Sequence, residues 1–292
     1  MSVSKQYVIT LETRSPLFVG SGDNYTKKDY LYDPRSQRVS VVDSSRLMAW
    51  LVSCGRPEAI DEYEKFMLGN QKNYYLKEFF DRMRIGPEDR KKMIIYETDA
   101  GAALSEYNSL KDIKAFMRDA YERPYIPGSS LKGALRTAIL VKMIRDEDGG
   151  ISPRYPDDFT RSKHADTDIE GGYLHTLGRN SKQPNAVNSI MSGISISDSV
   201  PLEQSSMTLA KKIDIFSDGE DNPLNVVREC VKPGVKINFK LTIYPKLAGK
   251  ISAQYIRSAI TDFGEYYYET YSKKFKHPLD TDHETFDDCL VF

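Results

Sequence analysis

The chain is organised around one segment, Pro124-Tyr-Ile-Pro-Gly-Ser-Ser-Leu-Lys-Gly-Ala-Leu-Arg-Thr-Ala-Ile-Leu140. Pro127 favours an extended conformation for the residue before it, and Gly128 permits a tight turn. Ser129 or Ser130 is the predicted N-cap, because a serine hydroxyl accepts a hydrogen bond from an amide in the first turn of a helix. The apolar residues that follow recur at helical spacing: Leu131, Leu135, Ala138 and Ile139.

Two cations of this predicted helix, Lys132 and Arg136, are four residues apart and therefore share one face. Free amides at the helix start, the positive end of the helix dipole and these two charges converge on one place, which suits a phosphate. The segment therefore predicts a phosphate-binding site formed by Gly128, Ser129, Ser130, Lys132, Gly133 and Arg136.

The charge around this segment agrees with a nucleic-acid contact. The formal net charge of the whole chain is only −1, so a local excess of cations is a local feature. The alternative is a capped core helix whose basic side chains are simply solvated. Between residues 113 and 145 the anions are Asp119 and Glu122, and the cations are Lys114, Arg118, Arg123, Lys132, Arg136, Lys142 and Arg145.

A nucleotide-binding P-loop is a competing interpretation, since Gly128 and Gly133 have the spacing of its two glycines. However, Ala134 and Leu135 stand where a P-loop needs a lysine and then a serine or threonine. The groups that reach the terminal phosphates and hold magnesium are therefore missing, and hydrolysis of ATP or GTP is not expected.

The composition is that of a globular protein: 292 residues, 40% hydrophobic and 28% charged. No apolar run approaches the roughly 18 residues of a membrane span, and the first ten residues have no signal-peptide pattern. Cys54, Cys230 and Cys289 are odd in number and widely separated, which favours buried thiols in a reducing compartment. The sequence thus predicts a cytoplasmic protein with no membrane span.

Alternating patterns in the first half of the chain predict a strand at residues 5–13 and a hairpin of residues 30–33 with 38–42. Glycines at 20–24 predict a turn, and Ser44 or Ser45 is expected to cap a helix. Two helical patterns follow between residues 58 and 84, and a short strand at 93–96. Aromatic residues in these helical patterns are expected to form core.

In the second half, residues 146–188 are polar and rich in Gly and Pro, which predicts a long loop. Strands are expected at 190–196 and 207–215, and residues 230–244 give the clearest strand pattern, a hairpin around Lys232-Pro-Gly234. An amphipathic helix is predicted from residue 256 to about 275. Its spacing places Tyr267 in the core and its tyrosine neighbours on the surface.

Two regions raise the question of a metal site. The long loop contains His164, Asp166, Asp168 and His175, and residues 277–292 contain two histidines and several carboxylates. No known ligand spacing is present in either. Solvated polar segments are the better interpretation, so neither a metal nor a cofactor is predicted.

Ile126-Pro-Gly-Ser-Ser-Leu-Lys-Gly-Ala-Leu-Arg136 resembles the signature loop of the CRISPR-associated RAMP superfamily. Ser15-Pro-Leu-Phe-Val-Gly-Ser-Gly22 and Asp29-Tyr-Leu-Tyr-Asp33 look like the first strand of that superfamily and the loop after it. The length of the segment between these motifs is similar to that in the family of subunit five of type III-A Csm effector complexes.

The order of predicted elements is that of an α+β, ferredoxin-like (RRM-like) unit with extra parts, and the resemblance implies the same fold. Residues 1–216 would form an N-terminal RAMP domain with a mostly helical insertion at about 43–122 and a flexible loop at about 146–188. Residues 217–292, a hairpin plus a helix, would belong to a second, degenerate unit. The usual second glycine-rich segment of the family is not found, so the chain is either a truncated member or has diverged there.

The resemblance implies a non-catalytic, antiviral RNA-binding subunit that caps the backbone of a Csm complex at the 3′ end of the CRISPR RNA and assists its maturation. Phosphate contacts suit this role, because they position RNA without reading its bases. The implied partners are the CRISPR RNA, neighbouring Csm backbone subunits and a separate host nuclease. Further predicted RNA contacts are Gly20, Gly22, Arg161, Lys163, Arg179 and Lys182.

Two alternatives remain. The first is a metal-dependent ribonuclease, because the resemblance places Asp29 near the loop where a related backbone subunit carries its cleaving aspartate. Asp23 and Asp33 are close by, but no convergent His or Lys is visible as a general acid, and a turn or strand-end aspartate is the better interpretation of Asp29. The second is a protein–protein module that docks through the helical insertion.

Overall fold

The computed structural model describes residues 3–55, 57–69, 74–101, 103–104, 111–148, 165–179, 186–216 and 220–274. The strands are β1 (Lys5–Glu12), β2 (Gly20–Tyr25), β3 (Tyr30–Asp33), β4 (Arg38–Val42), β5 (Ile94–Asp99), β6 (Ile113–Phe116), β7 (Ile194–Ile196), β8 (Met207–Ile215), β9 (Asp221–Val231) and β10 (Lys236–Ile243). The helices are α1 (Ser44–Ser53), α2 (Pro57–Leu68), α3 (Leu76–Arg82), α4 (Pro87–Met93), α5 (Gly128–Asp148), α6 (Ala165–Leu174), α7 (Pro245–Ala248) and α8 (Ala253–Thr270). Single 3₁₀ turns lie at Ala186–Asn188, Ile190–Gly193, Gln204–Ser206 and Ser272–Lys274.

The smaller of two sheets is antiparallel, with the strand order β1-β10-β7. Residues of β10 alternate between buried and exposed along most of its length, as expected of a strand with one face on a core. Ile9 pairs with Phe239 in this sheet, and both side chains pack in one core with Leu135 of α5 and Ile256 of α8. One face of the small sheet is therefore covered by helices.

The larger sheet has seven strands in the order β2-β6-β9-β8-β5-β4-β3. The β3–β4 hairpin is the one predicted from the sequence, with Tyr30 paired to Val41. Most neighbours are antiparallel, but β6 pairs with β9, and β5 with β8, in parallel. Tyr30, Val41, Tyr96 and Leu209 lie in the core of this sheet. The α+β class is thus confirmed.

The predicted hairpin of residues 230–244 is wrong, because its two strands belong to different sheets. β9 pairs with β8 and β6, while β10 pairs with β1 and β7. The turn between them is bound to Thr13: its hydroxyl donates to the carbonyl oxygen of Lys232 at 2.6 Å, and its own carbonyl accepts from the amide of Gly234 at 2.6 Å. A contact with the end of β1 thereby directs the chain from one sheet to the other.

The strand pairing also does not follow the predicted division at residues 216 and 217. That boundary falls inside the β8–β9 hairpin, and β10, from the predicted second unit, is the central strand of the small sheet. The predicted insertion at 43–122 contains helices α1–α4, but its last part forms strands β5 and β6 of the large sheet. The division into two units stays a prediction.

The helical part has its own core, in which aromatic residues pack as expected: the rings of Phe66 and Phe79 stack with centroids 5.0 Å apart. The N-cap of α1 is Asp43 rather than either serine, since its carboxylate accepts from the amides of Ser45 and Arg46. A carboxylate at this position also benefits from the positive end of the helix dipole.

Two further predictions need correction. Residues 20–25 form strand β2 rather than a turn, because they pair with β6 through an irregular register. Tyr267 is half exposed and lies in a row of rings with Phe263 and Tyr271, so it is not a core residue. No helix in the described ranges is long and apolar enough to cross a membrane.

Candidate nucleic-acid interface

Helix α5 begins at Gly128, whereas the sequence predicted Ser129 or Ser130 as the N-cap before it. The carbonyl oxygen of Pro127 accepts hydrogen bonds from the amides of Ser130 at 3.0 Å and Leu131 at 3.4 Å. Pro127 therefore holds the N-cap position, and the N-cap prediction for the serines is wrong. Ser129 and Ser130 lie in the first turn instead, where both residues are exposed.

Gly128 is required by close packing. A Cβ atom on this residue would lie 2.4 Å from the carbonyl oxygens of both Ile196 and Ser197, so only glycine fits without a backbone shift. Its amide donates to a carboxylate oxygen of Asp198 at 2.8 Å. This carboxylate, which sequence reasoning missed, partly satisfies the positive end of α5.

Gly133 differs from Gly128, because a Cβ atom there would meet nothing within 4 Å. It lies inside α5, one turn beyond the helix start. The two glycines that gave the segment its signature therefore have separate roles. Gly128 permits contact with the strand β7 region, and Gly133 leaves the surface of the first turns uncovered.

Lys132 is a partly buried cation that forms no ion pair within the part of the chain that the structure describes. Burial lowers the pKa of its ammonium group from the ordinary value, since a desolvated cation without a nearby anion is disfavoured. An anionic ligand at this position would offset that cost. Arg136 is about half exposed, and its guanidinium lies 3.4 Å from a carboxylate oxygen of Glu170 on α6. An exposed ion pair at this distance is solvated and contributes little to stability.

Much of the remaining basic segment points inward or is neutralised, so the predicted patch is smaller than its composition suggests. Arg123 pairs with Asp119 at 2.8 Å. Lys142 is largely buried and pairs with Asp262 of α8 at 2.6 Å. Arg123 is thus paired within its own loop and Lys142 with a neighbouring helix, so neither is free for a ligand.

Arg118 is the clearest case of an inward-facing cation. Its guanidinium lies 2.6 Å from a carboxylate oxygen of Glu229 on β9, and both side chains are almost fully buried. The same guanidinium stacks over the ring of Tyr96, 3.5 Å from its centroid. The carboxylate of Glu229 also accepts from the hydroxyl of Thr98 at 2.9 Å. Charge pairing, stacking and hydrogen bonding together fix this group inside the protein.

Asp29 is held in a turn. Its carboxylate accepts from the amide of Thr26 at 2.8 Å and from the hydroxyl of the same residue at 2.7 Å. Asp23, inside β2, accepts from the hydroxyl of Ser21, and Asp33, at the end of β3, accepts from the amide of Arg35. The three aspartates therefore make separate local hydrogen bonds, which is a common role of such residues.

In the described part of the chain, no group of three or more His, Cys, Asp or Glu side chains is arranged to hold a metal ion. His164 and the side chain of Asp166 lie outside the described residues, as do the acidic residues 277–292. Among the further predicted RNA contacts, Gly20, Gly22 and Arg179 are exposed. The others, Arg161, Lys163 and Lys182, also lie outside the described residues.

The model of the RAMP superfamily matches residues 10–288 of the chain. A relative from Mycobacterium tuberculosis (strain CDC 1551 / Oshkosh), named CRISPR system Cms protein Csm5, is 28% identical over 259 residues, covering 82% of this chain and 66% of the relative. A protein of the same name from Streptococcus thermophilus is 24% identical over 268 residues, covering 90% and 71%. The chain thus spans just under two thirds of the length of the mycobacterial relative.

Two solved structures share the fold. A cryo-EM structure of a Csm–crRNA–target RNA ternary complex from a type III-A CRISPR–Cas system contains a chain with a TM-score of 0.73 and 20% identity, covering 97% of this chain and 81% of that one. The crystal structure of Csm5 from T. onnurineus gives a TM-score of 0.69 and 20% identity, covering 96% and 86%. Together with the named relatives, these likenesses confirm the resemblance predicted from the two sequence motifs.

Proposed function

Since the chain belongs to the RAMP superfamily, we propose that it is a non-catalytic RNA-binding subunit of a type III-A Csm effector complex. It would cap the backbone of that complex at the 3′ end of the CRISPR RNA and assist maturation of that end. Its partners would be the CRISPR RNA, neighbouring backbone subunits and a separate host nuclease. The names of its relatives and the Csm complex among its structural neighbours support this assignment.

The observation that carries the RNA-binding part is the surface of the first two turns of α5. Lys132 is partly desolvated, and its ammonium group has no ion-pair partner among the described residues. Ser129 and Ser130 are exposed beside it. Gly133 adds no side chain that would keep a polymer at a distance. We propose that this surface binds phosphates, with Arg136 as the second cation.

Such a surface suits the proposed role, because phosphate contacts hold RNA regardless of sequence. A guide RNA differs in sequence from one complex to the next, so a subunit that caps every complex must bind the feature that all guides share. The exposed residues Ser129 and Ser130 of the first helical turn add hydroxyl donors for phosphate oxygens.

We also propose that the small sheet is the centre of a ferredoxin-like unit. β1 leads through α5 to β7, and β10 leads to α8. This is the order of the first five elements of a ferredoxin-like fold: strand, helix, strand, strand and helix. Both helices pack on the same core against the sheet, which supports the assignment.

The proposal is tested by replacing both cations, as Lys132→Gln with Arg136→Gln, in the full chain. Binding of a labelled single-stranded RNA is measured over a salt series. The double variant should bind all sequences more weakly, and the slope of log K against log salt should fall by about 0.7 for each lost phosphate contact. The melting temperature should change little, because neither side chain is part of the core.

The matched control is Lys91→Gln with Lys92→Gln, which removes two exposed charges from α4, where they pair with Glu88 and Asp89. This variant should leave the salt slope unchanged. If both double variants bind RNA like the wild type, the cations of α5 are solvated surface and the proposed site is wrong. If wild type shows no salt-dependent RNA binding, the proposed function itself fails.

A further inference from the structure

Three neighbouring strands of the large sheet bring together residues that are far apart in the sequence. Asn24 of β2 is paired with Lys114 of β6, and Lys114 is paired with Arg228 of β9. Directly paired residues on adjacent strands project to the same side of a sheet. One side of the large sheet therefore carries an amide and two cations in a row.

The two cations of this row have no anionic partner among the described residues. Lys114 is exposed and Arg228 partly buried, and neither forms an ion pair within the described ranges of the chain. Like charges opposite each other in a sheet are unfavourable. Arg38 of β4, by contrast, lies 3.8 Å from a carboxylate oxygen of Glu97, and Lys232, directly after β9, lies 3.1 Å from one of Asp99.

Arg228 also has a donor that lacks an acceptor. Its Nε atom is buried and has no hydrogen-bond partner within the described structure. The free energy spent on desolvating this donor is therefore not recovered by a hydrogen bond. The guanidinium lies over the ring of Phe18, 5.1 Å from its centroid. Phe18 in turn packs on Gly20, where a Cβ atom would be 2.8 Å from a ring carbon. The cation is therefore held on a fixed aromatic support.

The strand beside this row is open to a long ligand. Gly22 of β2 is exposed, and a Cβ atom there would meet nothing within 4 Å, so the backbone of a polymer can approach the sheet closely at this residue. We propose that β2, β6 and β9 form a second phosphate-binding surface for the RNA backbone, with Lys114 and Arg228 as its binding residues. This inference rests on the proposed function, which it extends from the start of α5 to the large sheet.

The test is a double variant, Lys114→Gln with Arg228→Gln, compared in the full chain with wild type, the α5 double variant and the Lys91/Lys92 control. Loss of two phosphate contacts should weaken binding of single-stranded RNA roughly tenfold or more at moderate salt, and should lower the salt slope by about 1.4. Arg228→Lys, which keeps the charge but not the planar stack on Phe18, should retain most of the slope. A thermal melt identifies any variant that fails to fold, and Lys114→Gln alone then serves as the folded test, with about half the change in slope.

The outcomes separate the two sites. If only the α5 double variant loses salt-dependent binding, the large-sheet surface is overturned and the proposed function stands. If wild type binds no RNA in a salt-dependent way, both fail. A further arm adds inorganic phosphate at constant ionic strength. Displacement of RNA from wild type by millimolar phosphate, but not from the Lys114/Arg228 variant, would support a site for RNA phosphates. If phosphate raises the melting temperature of wild type but not of the Lys114/Arg228 variant, while both bind RNA with the same salt slope, the surface takes free phosphate and the assignment to RNA is overturned.

Discussion

Arg118 and Lys132 belong to the same basic segment of the sequence, yet they lie in opposite environments. Arg118 is buried against the carboxylate of Glu229. Lys132, in contrast, lies at the surface of α5 and has no ion-pair partner among the described residues. A count of charged residues in the sequence treats Arg118 and Lys132 as equal candidates for contact with a ligand. The contrast shows that a cluster of cations contains two populations, one that holds the fold together and one that is available to a ligand.

The two populations should respond differently to loss of charge. A buried charge without its partner is expensive in free energy, so the inward cations should determine stability. A surface cation without a partner contributes little to folding, so the outward cations should determine binding and its salt dependence. The first prediction below tests this division, and two more, with smaller expected effects, test the anchoring of α5 and the role of Asp29.

The largest effect is expected for Glu229→Gln. This change keeps the size of the side chain but leaves the buried guanidinium of Arg118 without its counter-ion. The free energy of unfolding should fall by roughly 3 kcal/mol or more, the usual cost of breaking a buried pair from one side. Urea denaturation followed by circular dichroism would measure this loss.

The matched comparison is Lys132→Gln, which should change the free energy of unfolding by less than about 0.5 kcal/mol. A second comparison is Arg118→Met with Glu229→Leu, which removes both charges and should recover much of the lost stability. Equal stability of Glu229→Gln and wild type would contradict the assignment of Arg118 to the structural population.

An intermediate effect is expected for the two glycines of α5. Gly128→Ala places a methyl group 2.4 Å from the backbone oxygens of Ile196 and Ser197, so it should destabilise the protein by about 1–3 kcal/mol. Gly133→Ala places its methyl group in open space inside a helix, so it should stabilise the protein by about 0.5–1 kcal/mol. Thermal unfolding of the two variants should shift in opposite directions.

A shift of the same sign for both glycine variants would mean that the close approach of Gly128 to the β7 region does not govern the stability of this site. The comparison is sharp because each variant adds one methyl group to the same helix. The start of α5 is anchored to the small sheet at Gly128, and only the residues beyond it are free to face a ligand.

The smallest effect is expected for Asp29→Ala. The change removes two hydrogen bonds to Thr26 from one turn, so the free energy of unfolding should fall by about 1 kcal/mol. RNA incubated with magnesium or manganese should remain intact with wild type and variant alike. Cleavage by wild type that disappears in Asp29→Ala, but persists in Asp33→Ala, would make Asp29 a catalytic residue.

Local patterns predicted a large part of the fold. The alternation in β1, β8 and β10, the β3–β4 hairpin and the helical spacing of α5 and α8 all correspond to observed elements, with boundaries within a few residues. β2 was missed because its glycines and polar residues resemble a turn, and only pairing with β6 makes it a strand. The caps of α1 and α5 were misplaced by one to three residues, since serine, aspartate and proline at neighbouring positions compete for the same role.

The candidate site was predicted less completely. Lys132 and Arg136 share a helix face because their spacing alone dictates it. Asp198 at the start of α5 and the row of Lys114 and Arg228 were missed. Those residues come from segments that no local pattern connects, and only the pairing of strands and the packing of β7 against α5 bring them together.

The sequence by itself determined the periodic elements, the glycine-rich start of α5 and the resemblance to the RAMP superfamily, because these depend on residues within one or two turns of each other. Only the tertiary structure decided which sheet each strand joins and which cations remain free. Thr13 directs the chain from β9 to β10 across a separation of 222 residues, and Glu229 neutralises Arg118 across 111. Contacts at such separations depend on the packing of the whole chain, so no short window of sequence contains them.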